Sequence, residues 1–179
     1  WFGVAYASER LPLFSEVLNE LVDATVAHGG ADVDDAPHCF AELKASEPFD
    51  PNLPDAAAKL VAGARVPAEA LTWISFSRPL LVEVKKRMPE HSALLIADAP
   101  TVEAAWAVAR DCVQYGLDGI DLRALEEVVT TELVEWLHAR GKTIAVWVSR
   151  APAREDTAAT WDTLAARGVD DFTSNLPAA

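Results

Sequence analysis

Phe40-Ala41-Glu42-Leu43-Lys44 decides how the rest of this chain is read. It is a short apolar run in which an acid and a base stand two positions apart. Side chains along a strand alternate, so Glu42 and Lys44 share one face while Ala41 and Leu43 take the other. At the C-terminal end of a parallel strand, such a pair can hold a divalent cation and a phosphate side by side. A solvated ion pair on an edge strand accounts for the same five residues. The surrounding sequence has to choose between them.

Upstream, Phe14, Val17, Leu18, Leu21 and Val22 follow Leu11-Pro12 at helical spacing. The stretch 28–37, with Gly29-Gly30 and Asp34-Asp35, reads as loop and leads into a strand over 40–45. Downstream, Pro54 opens a helix through Leu60, Val61 and Ala64. A strand over 71–76 is followed by Ser77, which caps a helix carrying Leu80, Leu81, Val84 and Met88. An apolar strand over 93–97 ends at Asp98, and Thr101 begins a helix with Val102, Ala105, Trp106, Ala109 and Val113 on one face. A strand over 117–122 comes next. The helix with Leu133, Trp136 and Leu137 then runs to Gly141, predicted as a left-handed C-terminal cap. A β-prone strand over 143–148, a helix with Trp161, Leu164 and Ala165, and a last strand over 169–173 close the series.

About six strands alternating with helices predict a parallel sheet with helices outside it. An open doubly wound sheet and a (β/α) barrel both fit. No glycine-rich phosphate loop follows any strand, which lowers the dinucleotide-fold option. A complete barrel has eight strands, and the pattern falls about two short.

The chain of 179 residues reads as a single domain over 1–179, since this length supports one sizeable core. Hydrophobic residues at 51% exclude disorder. A formal net charge of -13 repels nucleic-acid phosphate and anionic lipid. Any phosphate ligand therefore needs a metal ion or a few well-placed bases. Cys39 and Cys112 show no paired-ligand spacing and suit a reducing, cytoplasmic setting. No run reaches transmembrane length. The chain opens on Trp1-Phe2-Gly3 without a Met, as expected of a piece cut from something longer.

With the strands placed, the chain resembles the C-terminal two-thirds of the glycerophosphodiester phosphodiesterase domain. Glu9-Arg10-Leu11-Pro12-Leu13 and Glu16-Val17-Leu18 are similar to the family's segment before its second helix. Residues 40–44 resemble its Glu-x-Lys strand, and Ile74-Ser75-Phe76 its Ser-Phe strand, with Leu80 and Met88-Pro89 following. Val146-Trp147-Val148 after Gly141-Lys142 resembles the Val-Trp-Thr strand. Gly168-Val169-Asp170, ending in Ser174-Asn175-Leu176-Pro177, resembles the family's terminus. Asp171 replaces a usual Gly, Arg150 stands where Asn is common, and Ser174-Asn175 replaces Thr-Asp. These departures bear on substrate contacts more than on fold.

The resemblance implies an incomplete α/β TIM-type barrel, about six of eight βα units with the first two absent. It implies a phosphoric diester hydrolase: metal-dependent hydrolysis of a glycerophosphodiester to glycerol 3-phosphate and an alcohol by the intact parent protein. One divalent cation, Mg²⁺ or Ca²⁺, would use Glu42 as a ligand. Lys44 would meet phosphate, and Trp147 would stand at the pocket mouth, where a barrel-packing aromatic is the alternative. The family's two acid–base His precede the start of this chain, so none of His28, His38, His91 and His138 takes that role. Each is expected at the surface or as a cap. The chain alone is therefore expected to be inactive. A non-catalytic fragment or pseudoenzyme that binds without hydrolysing is the alternative. Asp98 and Asp121, near predicted strand ends, line the pocket or serve as loop acids and caps. An open barrel would also expose interior and strand edges, so self-association is expected.

Overall fold

The computed structural model describes residues 10–27, 37–45, 48–149 and 154–176. The readings placed on Trp1-Phe2-Gly3, Glu9, His28, Arg150, Pro177 and most of the 28–37 loop lie outside these residues. Among them, helices α1 (Phe14–Ala27), α2 (Leu53–Ala64), α3 (Arg78–Arg87), α4 (Val102–Gln114), α5 (Thr131–His138) and α6 (Ala158–Ala166) alternate with six strands. The strands are β1 (Cys39–Glu42), β2 (Leu71–Ser75), β3 (Ser92–Ala97), β4 (Gly119–Arg123), β5 (Thr143–Trp147) and β6 (Asp171–Thr173).

All neighbours pair in parallel, and the strands lie in chain order from β1 to β6. A doubly wound sheet reverses its winding at a switch point, whereas a barrel adds each strand on the same side of the last. The unbroken order therefore selects the barrel, in an incomplete, curled form. Helix-facing residues of the strands include Leu71 and Trp73, Leu95, Ile120 and Leu122, and Ile144 and Val146, all within the main core. Leu18, Leu81, Val84, Ala109, Leu133 and Leu164 pack against them from the helices. Leu94, Ile96 and Ala145 point to the opposite, inner face, yet they are only 2%, 6% and 1% exposed. At these positions the curl of the sheet closes an interior that the missing strands were expected to leave exposed.

Local signals explain the boundaries. Ser77, Thr101, Thr130 and Thr157 accept the N–H groups of Leu80, Ala104, Leu133 and Thr160, capping α3 to α6 in the standard side-chain manner. Gly141 turns the chain after α5 at φ 63°, as predicted. After α2 the same left-handed turn falls on Arg65 at φ 57°, without the freedom of glycine.

Candidate active site at the C-terminal strand ends

Barrels of this type gather their chemistry at the C-terminal ends of the strands. Glu42 closes β1 on the inner face and is half-buried. The strand is shorter than the 40–45 read from sequence, but its line continues. Leu43 N–H donates to the Ile74 carbonyl at 2.9 Å, and the Ser75 hydroxyl donates to the Leu43 carbonyl at 2.7 Å. This carries Lys44 just beyond the sheet, where its Nζ donates to Glu42 Oε2 at 2.6 Å. The acid and base predicted to share a face do meet. A cleft of about 260 Å³ holds them, lined also by Ser75 and Phe76.

Trp147 ends β5 in register with Arg123 of β4 and Thr173 of β6. Its ring meets that of Phe76 edge-on, with centroids 6.1 Å apart, and its Nε1 is buried without a hydrogen-bond partner. Phe76 itself is 57% exposed. The pair thus links the Glu42 cleft to the opposite wall of the mouth.

Asp121 lies mid-strand rather than at a strand end. It faces the interior from β4, 2% exposed, with Oδ1 unpaired. Burial, reinforced by Asp171 and then Glu42, pushes its carboxyl up to about 7. Asp171 is also raised, by burial first, with His38 opposing and Asp170 adding to the rise. Asp98, just past β3, is exposed and stands 4.0 Å from Arg123 Nη1. Arg123 Nε donates to Glu155 at 2.8 Å, and this guanidinium holds the buried Glu155 carboxyl down at about 2.

The described histidines sit at the other end of the sheet. His38 precedes β1, with Nε2 2.9 Å from the Thr72 hydroxyl. His91 precedes β3 and is 3% exposed, so the surface position expected for it is corrected to a buried one. His138 ends α5, 3.1 Å from Asp170 Oδ2. Among the described residues, no group of three or more His, Cys, Asp or Glu side chains is placed to hold a metal ion. Glu42 is one donor of suitable chemistry, but the described residues by themselves do not make up a divalent-cation site.

Comparison with solved structures places this geometry. A glycerophosphodiester phosphodiesterase from Parabacteroides distasonis matches over 94% of this chain and 62% of its own, at 19% identity and a TM-score of 0.67. An Oleispira antarctica phosphodiesterase, solved with the product sn-glycerol-3-phosphate, matches over 76% of this chain and 50% of its own, at 18% identity and a TM-score of 0.59. The fold is that of phosphodiesterase barrels. The EAL domain of Xanthomonas citri FimX, solved with c-diGMP, shares it at 13% identity and a TM-score of 0.62, over 92% of this chain and 66% of its own. This chain spans about half to two thirds of the length of these structures. No family model and no curated protein matches the sequence.

Two features of this barrel leave only faint signals in the sequence. One is Asp121 as an interior acid, which strand parity in Gly119-Ile120-Asp121-Leu122-Arg123 marks, since Asp and Arg alternate with two buried aliphatics. The other is the Arg123–Glu155 pair, which joins residues 32 positions apart and leaves no local signal.

Proposed function

We propose that this chain forms part of a barrel that hydrolyses glycerophosphodiesters to glycerol 3-phosphate and an alcohol. The observation carrying this reading is the inward Glu42 with Lys44 bonded to it at the mouth of a fold shared with phosphodiesterases. In it, Glu42 contributes one ligand to a divalent cation, Mg²⁺ or Ca²⁺. The further donors come from outside the described residues. Lys44 turns from Glu42 to the phosphate, where charge grows in the transition state. Trp147 and Phe76 give the glycerol an apolar wall.

Residues 1–179 alone are proposed to bind without turnover. The favouring observation is that His38, His91 and His138 all lie away from the mouth, and removing a general acid or base costs about 10²–10⁴ in rate.

The test is release of glycerol 3-phosphate by the native protein that contains this sequence, beside the 179-residue chain. Glu42→Gln is expected to abolish release and leave the circular dichroism spectrum intact. Lys44→Ala is expected to lower kcat and raise KM, with kcat/KM down by about 10²–10³. Full activity in the Glu42 variant, or an unchanged kcat/KM in the Lys44 variant, overturns the assignment concerned.

A further inference from the structure

Strand register sets two acids near each other inside the curl of the sheet. Asp121 of β4 is in register with Ala145 of β5, and Ala145 in turn with Asp171 of β6. Partners in register share a face, so both acids stand on the inner face, with the small Ala145 between them. Phe172, next to Asp171, turns the other way and meets the Trp161 ring of α6, with centroids 5.5 Å apart.

Oδ1 of Asp121 is buried and makes no hydrogen bond. Ile96 of β3 and Ala145 of β5 flank this acid in register, and both are apolar. The charges acting on it beyond its burial are Asp171 and then Glu42 of β1. Asp171 is raised by burial first, with His38 opposing and Asp170 adding to the rise. The cations of this region are committed elsewhere. Arg123, on the same strand, is bonded to Glu155 and stands 4.0 Å from Asp98, and Lys44 is bonded to Glu42. An ionised Asp121 thus has burial and two acids against it, and movement of a wall is what relieves it.

The wall that moves most cheaply is β6. It is three residues long, and among the described strands it pairs on one side alone. The direct neighbours of Asp121, β3 and β5, are each paired on two sides. Two bonds close the ends of the β5–β6 ladder. Asp170 N–H donates to the Ile144 carbonyl at 3.0 Å, and Val148 N–H to the Thr173 carbonyl at 3.3 Å.

We propose that Asp121 and Asp171 form a pH-sensitive latch on β6: a neutral Asp121 leaves the strand seated, and an ionised one makes it lift from β5 more often, admitting water to the acid. The same opening takes Thr173 from beside Trp147 at the mouth. The latch belongs to the folded sheet and stands whether or not the barrel hydrolyses a diester.

Hydrogen exchange of single amides in the 179-residue chain at low ionic strength tests it, with rates corrected for the intrinsic effect of pH. From pH 6 to pH 8 the protection of Asp170 and Val148 is expected to fall about threefold to tenfold, tenfold being the full effect of a carboxyl that titrates at about 7 closed and near 3.8 open. Leu43 N–H, which donates to the Ile74 carbonyl at the opposite edge, serves as the control. Its protection is expected to change by less than about twofold, because opening there leaves Asp121 buried. Asp121→Asn is expected to abolish the fall at Asp170 and Val148, and Asp171→Asn to reduce it. No fall in the parent chain, equal falls at both edges, or a fall untouched by either substitution overturns the latch.

Discussion

Asp121 is a carboxylate set in the wall of the barrel interior, and the charges acting on it, Asp171 and Glu42, have its own sign. Unfolded, such a group titrates near 3.8; folded, burial lifts it to about 7. Between those values the native state keeps a proton that the unfolded chain has released. Stability is therefore full below about pH 4, falls as the pH rises to about 7, and levels off above. The window carries on the order of 2–4 kcal/mol. Glu155 works in the opposite sense and elsewhere: its stabilisation is present above its ordinary 4.5 and is lost as the pH falls through about 2. Asp121→Asn removes the ionisation while keeping the shape. Urea unfolding at pH 5 and pH 8 is expected to show a flatter difference in the variant than in the parent, with the variant the more stable protein at pH 8. Asp171, also raised, keeps some slope in place. An unchanged slope overturns the interior placement of this acid. Glu42 was legible because a strand acid beside a strand base is a local pattern. Asp121 was legible only in part: it falls within the strand read over 117–122, but whether it lines the interior or serves as a loop acid is decided by the neighbouring strands that bury it.

Strand starts in this fold are held by a device that occurs twice. Asp118 and Asp170 each close a Gly-x-Asp triplet, Gly116-Leu117-Asp118 and Gly168-Val169-Asp170, directly before β4 and directly before β6. Asp118 Oδ2 accepts the Ala93 N–H of β3 at 2.9 Å and pairs with Lys85 of α3 at 2.8 Å. Asp170 Oδ2 accepts the Ile144 N–H of β5 at 2.8 Å and the His138 ring of α5 at 3.1 Å. In each case one carboxylate ties the incoming strand to the preceding strand and to the helix that led there. Asp118→Ala leaves a strand N–H without its acceptor and a mostly covered ammonium without its counter-charge. It is expected to cost about 2–3 kcal/mol by urea unfolding, against about 1 kcal/mol or less for Asp55→Ala at the exposed Arg87 pair. Equal costs for the two changes overturn the strand-tying role. At this scale the sequence was readable where periodicity and caps are local, as in α1, α3 and the turn at Gly141. It was less so at strand ends: β1, β4 and β6 are shorter than read, because the sheet ladder, set by partners far along the chain, fixes where pairing stops.

For the whole molecule, sequential parallel pairing leaves two edges among the described strands, one on β1 and one on β6. The barrel reading foresaw these edges from the count of βα units, yet the closure of the interior over Leu94, Ile96 and Ala145 was not foreseeable, since it depends on how tightly the sheet curls. The edges are thus exposed even where the interior is covered, and unpaired strand backbone templates further strands. Two properties resist that pairing. The edge strands are only 4 and 3 residues long, and each copy carries a net charge of -13. Short edges weaken each contact, while like charge acts at a distance that salt shortens, to about 10 Å at 0.1 M. Self-association of the 179-residue chain is therefore expected to be weak at low ionic strength and to strengthen as salt is added, in contrast to a contact made of ion pairs. Sedimentation velocity over a concentration series at low and high salt measures it directly. Lys substituted for Phe40 on β1, or for Phe172 on β6, is expected to shift the series back toward monomer. A chain that sediments as a monomer at every concentration and salt, and melts in one sharp cooperative transition, overturns edge-driven association.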